Sequence, residues 1–565
     1  MRKHLFTLLL SFIFVCDGFS EQQIKPASFQ PVPTWLNNAV FYQIYPQSFK
    51  DTNGDGIGDL KGIIEKADYI KSLGVDAVWF NPINPSPFND AGYDVSDYYG
   101  IAPRYGTMDD FKKLLSELKK RNIRVILDLV AGHTSTDNKW FLESAKAEKN
   151  AYTDRYIWTK SRDVKPERFV DGSKYERAGN YLKNFFDSQP ALNYGYAVPD
   201  PAHSWEMPVS ASGPQKTKEE LRNIMKFWLD MGVSGFRVDM ASSLIKNDAT
   251  GKEIRKLWQD YRTWMEKNYP ESVLIAEWGN PSEAIPAGFH VDFLIHFGKT
   301  EYPSLFFNEA GVFKKQNCFF DKQGKGTVTK FVNNYLEHKA NIGNKGYISV
   351  PTANHDFQRP ACGNRKGDDL KVAMTFFLTW PGLPIIYYGD EIGMRYIDGL
   401  PDKEGSLLEK DMNRAGSRTP MQWDNSKNAG FSTVTDPSKL YLPIDGDPGR
   451  PNVSNQQNTP SSLLSLTREL VKLRKGSRAL SNSGDMLPLY VKENTYPFVY
   501  QRKSGTESYI VCLNPSDKNV TAGFKVTGAK KVQQVLGQGA KIGNTGEHFT
   551  AEMKGVSFGV FRVIY

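Results

Sequence analysis

Gly235-Phe236-Arg237-Val238-Asp239 reads as a β-strand carrying an arginine and a carboxylate two residues apart. The strand period of two puts both charges on one face. Buried strands normally exclude such groups, so they either form a structural ion pair or face a wet cleft at the strand's C-terminal end. A helical pattern over residues 218–231 leads into this strand, and another over 252–269 leads to an apolar run at 272–278. Further strand-like runs lie upstream at 39–45, 76–80 and 124–130 and downstream at 292–297, 347–350 and 383–388. Eight strands separated by helices or helix-sized connections predict an α/β fold, a (β/α)8 TIM barrel, with a doubly wound open sheet as its rival.

Two regions break the rhythm. Residues 133–214 are polar, aromatic and rich in Gly, Pro and Asn, and are too long for a loop. They are expected to form a subdomain inserted after strand 3, between barrel parts at 34–132 and 215–480. From 481 to 565, short alternating segments with Gly and Asn turns predict a C-terminal all-β sandwich domain. A chain of 565 residues has the length for such a plan.

The net charge of +8 is spread along the chain without a basic block, so no nucleic-acid partner is expected. Residues 1–20 read as a secretory signal peptide: Arg2, Lys3 and His4 precede an apolar run at 5–15, and Gly18-Phe19-Ser20 offers small residues for cleavage. That run is too short for a permanent span and no other segment is long and apolar enough, so a secreted or periplasmic monomer is expected. Lipid attachment at Cys16 is a rival that bulky Val15 serves poorly. Cys318, Cys362 and Cys512 are far apart and odd in number, which argues against a disulfide framework or metal knuckle and leaves one bridge open.

Polar residues recur at one end of the strands. Asp90-Ala91-Gly92-Tyr93-Asp94 follows the second, Asp128-Leu129-Val130-Ala131-Gly132-His133 ends the third, Glu277 ends the fifth, and Asn354-His355-Asp356 follows the seventh. Core packing does not gather acids and histidines on a common rim. Retaining glycoside hydrolysis does need such a set, with two carboxyl groups about 5–5.5 Å apart, one a nucleophile and one an acid and then a base. Arg237 would hold Asp239 ionised as the nucleophile, and Trp278 would keep Glu277 protonated as the acid/base.

Asp128 to His133, Gly235 to Asp239, Glu277 and Asn354-His355-Asp356, in this order, resemble the four motifs of the α-amylase superfamily, and the resemblance runs from about Trp35 to Arg474 with the insertion included. It implies that Asp239 is the nucleophile, Glu277 the acid/base and Asp356 the third carboxylate. It also implies that His133, Arg237 and His355 hold the sugar before the scissile bond. Asp90 to Asp94 and Arg418-Thr419-Pro420-Met421-Gln422-Trp423 resemble the exo-acting branch of oligo-1,6-glucosidases and α-glucosidases. There Asp90 and Arg418 would pair to close the pocket, Tyr93 would stack on the terminal glucose, and oligosaccharides would lose one glucose at a time.

Asp51-Thr52-Asn53-Gly54-Asp55-Gly56-Ile57-Gly58-Asp59 spaces oxygens at alternate positions, like the first part of a calcium-binding hand loop, although Gly62 stands at its twelfth position. The resemblance implies a structural Ca2+, or Mg2+, held by Asp51, Asn53, Asp55, the Ile57 carbonyl and Asp59, and no organic cofactor. Gly132 stands where amylases carry an asparagine that binds calcium, Ala191 where an acid is common, and Met240 at the position tied to linkage preference. Linkage therefore stays open between α-1,4 and α-1,6. A transferase or sucrose- or maltose-isomerising enzyme on the same scaffold is the alternative, and a non-catalytic sugar-binding barrel is a third reading.

Overall fold

The computed structural model of the protein describes residues 29–306, 317–408 and 412–565. The signal peptide expected at 1–20, with Cys16, lies outside the described residues. Strands β1 (Phe41–Ile44), β2 (Ala77–Phe80) and β3 (Arg124–Val130) come first. A small antiparallel pair follows, β4 (Phe169–Val170) with β5 (Tyr181–Leu182). Then come β6 (Gly235–Asp239), β7 (Val273–Ala276), β8 (Val291–Phe293), β9 (Tyr347–Ser349) and β10 (Ile385–Tyr387).

Eight of these form one parallel sheet in the order β10-β1-β2-β3-β6-β7-β8-β9. A parallel bridge between Ser349 and Leu383 joins the two ends. An open sheet has two edges and this one has none, so the barrel is closed. All five residues of β6 are buried, as expected of a parallel strand covered on both faces. Gly235 lets β6 approach β7 closely, since a Cβ there would lie 2.2 Å from the Val273 carbonyl oxygen.

The helices outside the ring set the strand ends. Helix Met108–Lys120 starts at a reciprocal cap between Thr107 and Asp110 and buries Phe111, Leu114 and Leu118. Between β3 and β6, Phe141 gathers Tyr156, Trp158, Tyr175 and Tyr181 at centroid distances of 5.0–5.5 Å, giving the insertion an aromatic core.

Beyond helix Leu463–Lys475, strands β11 (Asp485–Tyr490), β12 (Phe498–Ser504), β13 (Glu507–Asn514), β14 (Val520–Lys525), β15 (Lys531–Thr545) and β16 (His548–Ile564) form an antiparallel sheet. Buried arginines tie it to the barrel: Arg502 on β12 donates to the Thr379 carbonyl, and Arg474 on the preceding helix donates to those of Leu378 and Trp380 at 2.9 and 2.8 Å. Cys318, Cys362 and Cys512 are buried, and no bridge links these three to one another. No described helix is long and apolar enough to cross a membrane.

Candidate active site

The barrel register brings the polar residues together. Asp128 on β3 lies beside Arg237 on β6, and Val238 beside Ala276, which places Glu277 one step further along the rim next to Asp239. A cavity of about 340 Å³ opens at this end, lined by Asp90, Tyr93, His133, Asp239, Glu277, His355, Asp356 and Arg414. Phe185 and Phe297, 42% and 40% exposed, complete its outer wall.

Arg237 is the hub. Fully buried, it donates from Nη1 to Asp128 Oδ1 at 2.7 Å and to Asp239 Oδ1 at 3.1 Å, while Nη2 pairs with Glu277. Three carboxylates thus share one guanidinium, which lies behind the cavity wall rather than on it; it reaches a sugar through the carboxylates. Asp128 also accepts from the Tyr93 hydroxyl at 2.8 Å and the Trp79 indole at 3.2 Å. The backbone turns left-handed at Met240, φ 44°, and its N–H thereby meets Glu277 Oε2 at 2.9 Å.

Burial pushes the carboxyls of Asp239 and Glu277 above the usual carboxylate range. The Glu277 charge raises Asp239 further, and Arg237 pulls both down. The expected polarity, with Asp239 ionised by Arg237 and Glu277 kept neutral by Trp278, is not what these contacts give. Arg237 makes its shorter contact with Glu277, and the Trp278 ring stays off the cavity, packing edge-on to Phe289 at 6.3 Å. Burial raises both acids and the shared cation lowers both, so the contacts do not single out one of the pair as the ionised one.

Asp356 behaves differently. Burial opposes its charge, but His355 and the guanidiniums of Arg414, Arg418 and Arg237 outweigh burial and hold the carboxyl well below its ordinary range. His355 stacks on Tyr93 at 5.2 Å and sits 3.2 Å from Asp356 through Nε2. Burial likewise keeps His133 neutral, its pKa lowered to about 4. Its Nε2–H donates to the Tyr93 carbonyl at 3.1 Å and its Nδ1 lies 3.0 Å from the Asn184 amide.

The expected Asp90–Arg418 pair is replaced. Asp90 Oδ1 pairs with Arg414 Nη2 at 2.8 Å, and Arg414 Nη1 reaches Asp356 at 3.1 Å. Arg418 is fully buried beneath them, donating to the His355 carbonyl at 2.8 Å and lying 3.4 Å from Asp356. The reason is local: Asn413 caps a 3-10 turn, Arg414–Ser417, that aims its first side chain at the cavity and leaves Arg418 pointing into the core. Arg414 was missed because it lies four residues before the Arg418–Trp423 motif, where the sequence carries no signal that the capped turn aims it at the cavity. Gln189, which donates to Asp90 Oδ2 at 2.9 Å, and the hub role of Asp128 were also missed, although both lie in motifs legible in the sequence.

The loop 51–59 folds around the buried Asp51. Its Oδ1 accepts from the N–H groups of Asn53 and Gly54 at 3.0 and 2.8 Å, and its Oδ2 from Gly56 at 2.8 Å. Asn53 and Asp55 each accept from the N–H two residues on, at 2.9 and 2.8 Å. Asp59 caps helix Leu60–Glu65 through Gly62 N–H at 2.7 Å and also accepts from Thr52 N–H at 2.8 Å. Among the described residues no three acidic, histidine or cysteine side chains converge as a metal cluster. The oxygen set is that of a hard ion, in a loop already curled by the hydrogen bonds such loops use.

Comparison with known proteins agrees with this geometry. The chain is 32% identical over 547 residues to an oligo-1,6-glucosidase of Parageobacillus thermoglucosidasius, covering 86% of this chain and 91% of the relative. It is 32% identical over 509 residues to a trehalose synthase/amylase of Mycolicibacterium smegmatis, covering 82% and 81%. An isomaltulose synthase variant from Erwinia rhapontici NX5, solved with sucrose, superposes with a TM-score of 0.78 at 26% identity, covering 95% of this chain and all of that one. The family model described as alpha amylase, catalytic domain, matches residues 43–483. A closed barrel with this rim of acids and these relatives make the chain a glycosidase enzyme that belongs to the α-amylase family, in its α-glucosidase-like branch.

Proposed function

We propose that the protein is a retaining, exo-acting α-glucosidase that removes terminal non-reducing glucose from α-1,4- or α-1,6-linked di- and oligosaccharides. One observation carries this reading: Asp239 and Glu277 meet on a single guanidinium in a pocket walled by the Asp90–Arg414–Asp356 chain. Two carboxyls on one guanidinium suit the short separation of a retaining pair, about 5–5.5 Å. Asp239 attacks the anomeric carbon while the leaving oxygen takes a proton from Glu277. Glu277, now a carboxylate, then removes a proton from water as that water's oxygen displaces Asp239 from the sugar. Glu277 must carry a proton for the first step. A sugar entering between the carboxyls loosens Glu277 from Arg237 and leaves the cation to Asp239, which sets that polarity.

A product time-course on maltose, isomaltose and sucrose tests the assignment: glucose release from one end, without larger oligosaccharides, is expected. A second reading, sugar isomerisation or transfer, is favoured by the isomaltulose synthase likeness and by the half-exposed Phe185 and Phe297, which would hold a freed sugar at the mouth. Isomers of sucrose or maltose as the main products would establish it instead.

Arg414 would close the pocket behind the terminal glucose. Arg414→Ala is expected to raise KM for maltose ~10-fold or more, since a bidentate cation between two acids is lost; KM equal to the parent's would remove Arg414 from the sugar site. Arg418→Ala is expected to act on folding first, because that guanidinium is sealed in the core.

A calcium or magnesium ion in the loop 51–59 is proposed with a structural role, bound through Asp51, Asn53, Asp55, the Ile57 carbonyl and Asp59. Chelation is expected to lower Tm by a few degrees, about 3 kcal/mol for a chain of this size, with recovery on adding either ion. A melt indifferent to chelator would remove the ion. Export and a monomeric state rest on the sequence alone; N-terminal sequencing of exported protein and light scattering would check them.

A further inference from the structure

We infer that Asp292 is a positioning residue for Glu277, holding the turn that follows it so that the Glu277 carboxyl stays aimed at the glycosidic oxygen; this rests on the acid/base reading of Glu277 above. Asp292 lies on β8, fully buried. Its Oδ1 accepts from the N–H groups of Trp278 at 3.1 Å and Gly279 at 3.3 Å, and its Oδ2 accepts from Asn280 N–H at 2.8 Å. These are the three residues that immediately follow Glu277. Among the described residues no cation lies within ion-pair distance of Asp292, so the backbone donors are what this carboxylate faces.

Glu277 is anchored on its other side by β6. Its N–H donates to the Val238 carbonyl at 3.0 Å, and its carbonyl accepts from Ala241 at 3.2 Å. Downstream, the N–H groups of the turn are held by Asp292. Gly279 sits at φ 68°, where a Cβ would lie 2.7 Å from the Phe297 carbonyl, and its own carbonyl accepts from Lys299 N–H at 2.8 Å. The turn is therefore pressed between Asp292 and the segment that carries His296 and Phe297 into the pocket wall. Three successive N–H groups aimed at one carboxylate make an anion cradle, and a charged acceptor holds such donors about twice as strongly as a neutral one. Burial raises the Asp292 carboxyl to about 7, and the N–H bonds oppose that rise. An asparagine would have to turn an NH2 toward at least one of these donors, and the turn would have to move to escape it.

The role is read out by leaving group. Maltose needs a proton delivered to its glycosidic oxygen, whereas α-glucosyl fluoride departs with little proton help. Asp292→Asn is expected to lower kcat/KM on maltose ~10- to 100-fold, the scale of a misplacement of about 1 Å, while changing kcat/KM on the fluoride, which reports only the first displacement, less than ~3-fold. Glu277→Gln is measured on the same two substrates. If it shows no such split, the acid/base reading of Glu277 has failed; if it shows the split and Asp292→Asn does not, only the inference about Asp292 is overturned. Should Asp292→Asn fail to fold, Asp292→Glu keeps the charge and shifts the oxygens by one methylene. The same split is expected for it, and equal loss on both substrates would reduce Asp292 to a structural clamp between β7 and β8.

Discussion

Asp239→Asn is expected to lower kcat by ~10⁴-fold or more, on the order of 5 kcal/mol of barrier. The substitution keeps shape and one acceptor oxygen, so the 3.1 Å contact with Arg237 has a replacement and the strand should not move. What is lost is a nucleophile: an amide cannot form a glycosyl ester that water later opens. Stability should move the other way. Burial and Glu277 raise the Asp239 carboxyl above its unfolded value, so the unfolded chain ionises first as pH rises, and this residue costs stability above about pH 4. Asparagine removes that cost, so its Tm should equal or exceed the parent's at pH 7, with a gain that grows from pH 4 upward. The decisive experiment pairs Asp239→Ala with α-glucosyl fluoride and azide. An external anion taking the place of the missing carboxylate attacks from the face opposite the fluoride, so β-glucosyl azide should accumulate. Parent-like hydrolysis of maltose by Asp239→Asn would leave the double displacement without its first step.

The barrel was legible because parallel strands covered on both sides are short apolar runs, and eight of them alternated with helices. One run was read too long: β8 stops at Phe293 where the sequence predicts a strand to 297, because His296 and Phe297 leave the ring for the pocket wall. Asp239, Glu277, Asp356, Asp90, Tyr93 and both histidines gather because strand order and the two-residue period fix which rim a residue reaches. Charge polarity and arginine choice were not legible, since each depends on a direction that spacing leaves open. Arg414 and Arg418 differ only in how one capped turn rotates them. Trp278 follows Glu277 in sequence, yet the turn pinned by Asp292 carries its ring to Phe289 and away from the acid it was expected to shelter.

Arg237→Leu should be the most damaging single change to stability in the site, costing about 3–5 kcal/mol near neutral pH. The guanidinium is bonded to Asp128 and Asp239 and paired with Glu277, all buried, and leucine leaves those charges unopposed. They can lower the cost only by taking up protons, and the pH dependence follows from that. Burial already raises all three carboxyls in the folded protein, against the pull of Arg237. Without it they rise further, and the folded state keeps protons that the unfolded chain gives up at about pH 4. Stability then falls as pH rises through the window between those two values, so the Tm deficit of Arg237→Leu should be smallest near pH 4 and widen toward pH 8. Arg237→Lys, a point charge that cannot serve three partners at once, should fall between the two proteins at each pH. Melting curves of parent, Lys and Leu proteins across that range decide the matter. A constant deficit would mean lost packing alone, whereas a widening one identifies Arg237 as the counter-charge that lets two catalytic acids share a dry wall of the barrel.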